Sequence, residues 1–306
     1  MFAYIVRRLG STLVVLFGIT IVSFLLIYAI PADPARIIVG PKAPMSVVIA
    51  VRHQLGLDQP LYVQYWRYLV GLLHGNLGTS YTYNLPVSQM ILQRLWPTLE
   101  LALGCWIAEL IIGVPLGIYT ARHARKLGDY VMSILALIFL AMPVFWLGLI
   151  LLYWFAFKIP IFPLGGFGGI QYLILPSLTY GLTGAAFYIR LLKSQMLEVL
   201  SQDYVRTARA KGASERRVTW RHVLRNALIP VVTYGGVDFS YLISGVVLIE
   251  SVFSWNGLGQ LAYTAIQNLD TPVILGTVLV VAVAVTLVNL IVDLIYGVID
   301  PRIRYE

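Results

Sequence analysis

Six long apolar runs, separated by more polar segments, dominate the hydrophobic pattern of the chain. They cover residues 9–30, 98–120, 130–157, 172–192, 228–249 and 272–298. A helix that crosses the hydrocarbon core of a bilayer needs about 20 mostly apolar residues. The first run is too long for the core of a signal peptide, so we interpret it as an uncleaved span. The pattern predicts an all-α membrane protein with six transmembrane helices.

The positions of the 22 Lys and Arg residues predict the orientation of these helices. Cytoplasmic loops of membrane proteins carry an excess of basic residues. If the N-terminus lies inside, most basic residues fall in inside segments, and nine of them lie from Arg190 to Arg225. The outside segment 251–271 contains no Lys or Arg. The distribution predicts a protein with both termini in the cytoplasm.

Composition excludes a soluble protein. Hydrophobic residues make up 59% of the 306 positions and charged residues only 12%, whereas soluble domains contain about 45–50% and about 25%. The net charge of +8 fits basic cytoplasmic loops. Cys105 is the single cysteine and cannot form a disulfide within the chain.

Three regions follow from this pattern: 1–30 with the first span, 31–97 outside the membrane, and 98–306 with five spans and a cytoplasmic loop at 193–227. The outer region predicts a helix from Ser46 to Leu55 and a second one that opens near Pro60. The second helix suits a membrane interface or a docking surface for an outer partner, with its apolar and aromatic residues Leu61, Tyr62, Tyr65, Trp66, Tyr68, Leu69 and Leu72.

A turn is expected after the fifth span, where two glycines follow a tryptophan. Gly257 and Gly259 interrupt the helix beside Trp255, and Glu250 precedes them. We interpret these four residues as candidates for an outer docking site or gate. An ordinary interfacial turn with aromatic residues is the alternative.

The cytoplasmic loop 193–227 predicts a helix, a tight turn and a second helix. An amphipathic helix is expected from Lys193. Gly212 suits the end of a helix, and Ser214 suits the N-cap of the next one. The basic residues fit contact with anionic lipids, an ordinary cytoplasmic loop, or a docking element for a cytoplasmic protein.

The stretch Arg206-Thr207-Ala208-Arg209-Ala210-Lys211-Gly212 resembles the coupling loop of ABC-importer permeases, in the branch that imports peptides, glutathione or nickel. Further segments resemble this branch in order and spacing. They are Pro31-Ala32-Asp33-Pro34, Leu55-Gly56-Leu57-Asp58, Gly75-Asn76-Leu77-Gly78, Trp255-Asn256-Gly257-Leu258-Gly259 and Asp300-Pro301-Arg302-Ile303-Arg304-Tyr305.

The resemblance implies a type I ABC-importer permease in a bacterial or archaeal cytoplasmic membrane. It implies a second, similar permease, two ABC ATPase subunits and an extracytoplasmic binding protein as partners. Peptides are the first choice of substrate, with nickel and glutathione as alternatives. The implied ATPase-coupling residues are Asp203, Arg206, Thr207, Ala208, Arg209, Ala210, Lys211, Gly212, Ala213 and Ser214.

No chemistry of its own is expected from the chain. It lacks the GxxxxGK[ST] phosphate loop and the HExxH metal motif, so we expect no enzyme activity, no cofactor and no metal site, and we expect partner subunits to hydrolyse ATP. Glu109, Asp238 and Asp293 are acids inside spans and therefore candidates for the transport pathway. Asp238 and Asp293 also leave two remote alternatives, a proton-coupled carrier and an intramembrane aspartyl protease.

Overall fold

The computed structural model describes residues 2–29, 33–40 and 42–299, which are mainly helical. The pieces Pro31-Ala32 and Asp300–Tyr305 of the family resemblance lie outside the described residues. In chain order the helices are α1 Phe2–Ala29, α2 Pro34–Val39, α3 Met45–Gln54, α4 Leu61–Leu73, α5 Val87–Arg122, α6 Leu127–Ala141, α7 Val144–Leu152, α8 Ile170–Leu200, α9 Asp203–Ala210, α10 Glu215–Arg217, α11 Leu224–Gly245, α12 Val247–Val252, α13 Leu258–Gln267 and α14 Thr271–Ile299. Two π-helical turns, Tyr153–Lys158 and Val218–Val223, follow α7 and α10.

Within the described ranges, five helices are long and apolar enough to cross a membrane, and a bent pair makes six if it forms one span. The pair consists of α6 and α7 with the π-turn, and its two halves meet at 101°. Met142 is extended at the break, and Pro143 precedes α7. Proline disfavours a helical residue before it, so the third apolar run contains a sharp break where the sequence predicted a span.

The first of two compact units comprises residues up to Thr98 together with Asn256–Leu287. Its apolar core joins α5, α13 and α14 through Val87, Ile91, Leu258 and Val273. The predicted outer helices are confirmed as α3 and α4, and Gly56 follows α3 at a φ of +68°.

The second unit comprises Leu99–Trp255 and, on the described part of α14, residues 288–299. Helix α8 lies at its centre and packs against α6, α7 and α11. Small residues bring α5 close to α8, because a Cβ atom on Gly113 would lie 2.6 Å from the Tyr188 Cβ atom. At one end of α8, the Lys193 ammonium group forms an ion pair with the buried Asp129 of α6.

Two helices extend beyond their predicted spans. Helix α5 begins at Val87 instead of residue 98, and its 36 residues measure about 54 Å at 1.5 Å per residue. Helix α8 continues to Leu200. The prediction of a separate amphipathic helix from Lys193 is therefore wrong, because residues 193–200 continue α8.

Candidate coupling loop and pathway residues

The predicted turn of the cytoplasmic loop lies between α9 and α10. Gly212 adopts a φ of +80° and directly follows Lys211, the C-cap residue of α9. Its amide donates to the Arg209 carbonyl oxygen at 2.9 Å, and the Ala213 amide donates to the Ala208 carbonyl oxygen at 3.2 Å. These two bonds are the Schellman pattern, in which a left-handed residue satisfies the last carbonyl groups of a helix. The glycine-capped helix end predicted from the sequence is confirmed.

Side chains close the turn from both sides. The Ser214 hydroxyl oxygen accepts a hydrogen bond from the Arg217 amide, which confirms Ser214 as the N-cap residue of α10. The Arg209 guanidinium group donates to both carboxylate oxygens of Glu215, at 2.8 and 3.3 Å. Because this pair is bidentate, it holds the end of α9 against the start of α10 with a defined geometry.

The side of the loop that faces the helices packs against the predicted spans α8 and α11. Val205 of α9 and Val218 of the following π-turn are fully buried. They belong to one apolar cluster with Leu192 and Met196 of α8, and with Val223, the last residue of the π-turn before α11. A close-packed cluster transmits displacement with little compression. This cluster fixes the loop to the ends of α8 and α11.

The side of the loop that faces away from the helices is open. Gly212 is exposed, and a Cβ atom built on it meets nothing within 4 Å. Of the ten predicted coupling residues, Ala208 and Ala213 are half-buried and the other eight are exposed. The helix–turn–helix thus presents a mainly polar surface to its surroundings.

An open groove of about 600 Å³ lies beside the turn, lined by Ser214, Arg216, Arg217 and Trp220. Only Ser214 was a sequence-predicted site residue. The side chain of Trp220 is 56% exposed, and an exposed tryptophan among arginines is typical of a protein-binding surface. A tryptophan on a basic cytoplasmic loop was the signal that could have identified this groove.

Two of the three acids inside predicted spans, Glu109 and Asp238, lie between neighbouring helices. Glu109 of α5 is fully buried and lies directly against Gly184 of α8. Asp238 of α11 neighbours Glu109 and accepts a hydrogen bond at 2.7 Å from the Tyr188 hydroxyl group of α8. These acids connect α5, α8 and α11. Sequence reasoning missed Gly184 and Tyr188, because neither residue type indicates a site by itself.

Asp293 lies half-buried on α14, next to the contact between α14 and α11. A Cβ atom on Gly236 would lie 2.5 Å from the Val292 side chain, and the Ser240 hydroxyl group donates to the Asn289 side-chain oxygen at 2.8 Å. The two helices that carry Asp238 and Asp293 are therefore neighbours, as expected. The hydrogen bond of Asp238, however, goes to a tyrosine of α8.

The predicted outer turn contains buried residues. Glu250 and Trp255 are both fully buried, and the Trp255 amide donates to the Glu250 carbonyl oxygen at 2.7 Å. The Trp255 ring meets Phe167 edge to face at 5.0 Å. In this conformation the two side chains pack the turn and offer no surface to a partner. Gly257 immediately precedes α13, and Gly259 lies in its first turn.

Comparison with known protein families covers most of the chain. Residues 113–305 match the family described as binding-protein-dependent transport system inner membrane component. Residues 1–102 match the N-terminal region of the same kind of membrane component.

The chain is similar to the glutathione transport system permease protein GsiC of Salmonella paratyphi A, at 42% identity over 306 residues and all of both chains. The Escherichia coli K12 protein of that name is 40% identical over the same coverage. Among solved structures, the inward-facing MetNI methionine ABC transporter matches with a TM-score of 0.59 and 21% identity. That match covers 69% of this chain and 97% of the other, and it supports the fold.

Proposed function

Because the chain belongs to the family of binding-protein-dependent transport system inner membrane components, we propose that it forms half of the translocation pathway of an importer for small peptides of the glutathione class. The chain is a multi-pass inner-membrane permease subunit and not an enzyme, and ATP is hydrolysed by partner subunits.

Full-length similarity to glutathione permeases supports the choice of substrate. Glutathione is itself a tripeptide, so the peptide expectation and the glutathione alternative describe the same chemical class. Nickel differs from both because it is a metal cargo. Uptake of nickel in place of a peptide would contradict the proposal.

The proposed partners are a second, similar permease, two ABC ATPase subunits and an outer binding protein. One observation supports the coupling role. The turn at Gly212 is open on the side that faces away from the helices, while its other side is fixed to α8 and α11 by Val205 and Val218. An ATPase that moves the turn would therefore move two predicted spans. The ten residues from Asp203 to Ser214 named above are the proposed contact surface, extended by the groove at Trp220.

Glu109 and Asp238 are proposed to act through the packing of the pathway helices. Glu109 is buried and cannot meet a substrate in this conformation. Gly184 leaves the space that its carboxyl group occupies. We expect Gly184→Ala to lower uptake, since overpacking a core costs typically 1–3 kcal/mol. The shorter Glu109→Asp in the same chain should restore part of the uptake. Wild-type uptake in Gly184→Ala would contradict this role.

The proposed function is tested with the complete transporter in proteoliposomes. ATP is supplied on the side of the ATPases, and the binding protein with labelled glutathione is supplied on the other side. We expect uptake that requires ATP and the binding protein, and that unlabelled glutathione inhibits more strongly than nickel does. Uptake driven by a proton gradient without ATP would instead establish the carrier alternative.

A further inference from the structure

Helix α4 of the outer segment packs directly against the first predicted span. The hydroxyl groups of Tyr65 and Thr20 lie 2.9 Å apart. Phe24 of α1 meets the ring of Tyr65 edge to face at 5.2 Å and stacks on Tyr68 at 6.1 Å. Burial raises the pKa of Tyr68 to about 12. One face of α4 is therefore fixed to α1.

The residues of α1 that α4 contacts lie inside the membrane-crossing part of that helix. Its apolar window runs from Gly10 to Ile27. At 1.5 Å per residue, Phe24 and Thr20 lie about 5 and about 10 Å along the helix from Ile27. Both contacts fall in the second half of this window, so α4 is held beside the C-terminal half of α1, which the predicted orientation puts toward the outside of the membrane.

A second side of α4 is polar and lies beneath the loop that follows α3. The Gln64 amide donates to the carbonyl oxygens of Leu57 and Gln59, at 3.3 and 2.7 Å. The Arg67 guanidinium group lies so close to Gly56 that a Cβ atom there would approach it to 2.7 Å. This loop covers the polar side of the helix.

The remaining side of α4 is apolar and open. Tyr62, Trp66 and Leu73 lie within about 40° of one another around the helix, at about 100° per residue. Their exposed fractions are 75%, 66% and 86%. Full burial of a large apolar side chain is worth about 1.5–3 kcal/mol, so a row of three such residues favours an apolar environment.

We propose that α4 lies in the outer interface of the bilayer, with Tyr62, Trp66 and Leu73 in contact with lipid. Helix α1, to which α4 is fixed, also exposes apolar side chains, because Phe17, Val22 and Leu25 are each more than half exposed. Tyrosine and tryptophan suit this depth, because their rings are apolar and their polar atoms reach the headgroups. The polar side under the loop then faces water, as in amphipathic helices that lie in the membrane plane.

The test measures the environment of spin labels in the complete transporter. Single cysteines replace Tyr62, Trp66 or Leu73 in a Cys105→Ala chain, and the exposed Thr82 of the outer loop provides the matched control. The labelled complex is reconstituted in vesicles of phosphatidylethanolamine and phosphatidylglycerol. Relaxation is measured with oxygen, which concentrates in lipid, and with a nickel chelate that stays in water.

We expect labels at 62, 66 and 73 to be relaxed more by oxygen than by the chelate, and a label at 82 to show the reverse. Chelate access at 66 equal to that at 82 would overturn the proposal and indicate a water-facing surface for an outer protein. Protection of the three positions from both reagents would overturn it in favour of a second protein chain. Because the three positions share one side of the helix, any variant that assembles tests the proposal.

Discussion

Substitution of Gly212 is expected to separate the shape of the coupling turn from its role as a contact surface. The residue has a φ of +80°, and nothing lies within 4 Å of a Cβ atom built on it. A side chain there meets backbone strain but no clash within this chain. Three replacements therefore separate the effect of backbone strain from the effect of side-chain bulk. Asparagine tolerates the left-handed conformation, alanine adds strain, and tryptophan adds strain and bulk.

The magnitude of the strain is roughly 1–2 kcal/mol for a residue other than glycine. A free energy of that size changes a conformational equilibrium about 5–30-fold. The turn has other support, because the Arg209–Glu215 pair, the Ser214 cap and the buried Val205 hold its two sides. We expect near-normal uptake for Gly212→Asn, a modest loss for Gly212→Ala and an almost complete loss for Gly212→Trp, whose ring would displace the ATPase surface.

The assay is ATP-dependent uptake together with co-purification of the ATPase subunits, both at matched expression in the membrane. Loss of uptake in Gly212→Trp with normal membrane insertion is the expected result. Wild-type uptake and a normal ATPase complement in that variant would refute the assignment of this turn as the coupling element. Equal losses for alanine and tryptophan would show that the backbone conformation matters and the open surface does not.

Two further predictions concern topology and stability. In a Cys105→Ala chain, a cysteine that replaces Thr82 should react with a membrane-impermeant reagent in intact cells. A cysteine that replaces Lys211 should react only after permeabilisation. Reaction of Lys211→Cys in intact cells would refute the predicted orientation. Lys193→Met should lower the thermal unfolding temperature of the purified complex, because it leaves the buried Asp129 carboxylate without its lysine partner, whose side chain is one-quarter exposed, at a cost of about 1–3 kcal/mol. Adding Asp129→Asn should restore most of the stability. An unchanged unfolding temperature in Lys193→Met would show that the pair does not stabilise the α6–α8 contact.

Much of this protein is determined by local sequence. Five of the six apolar runs correspond to single helices long enough to span the membrane, because the bilayer requires a continuous stretch of apolar residues, and the third run is a pair of helices bent at Pro143. The ends of helices were also readable where one residue type suits one backbone conformation. Gly212 has the positive φ that glycine permits, and Ser214 accepts the amide hydrogen bond that its position predicts.

The sequence also limited the function before the fold was known. A missing phosphate loop indicated that ATP hydrolysis belongs to other subunits, and the order of short motifs indicated the transporter branch. These features are strings of adjacent residues, so no knowledge of distant contacts was needed. The substrate stays a proposal because neither the fold nor the coupling loop encodes it.

Only the tertiary structure decided which side of each element faces a neighbour. Asp238 accepts its hydrogen bond from Tyr188, 50 positions away, and Glu109 lies against Gly184. Glu250 and Trp255 are buried where the sequence suggested an outer site, whereas Tyr62 and Trp66 of α4 are exposed. A hydropathy pattern shows that a helix is apolar, but it does not show whether an apolar face contacts lipid or another helix. That choice depends on contacts between residues far apart in the chain, which no local pattern contains.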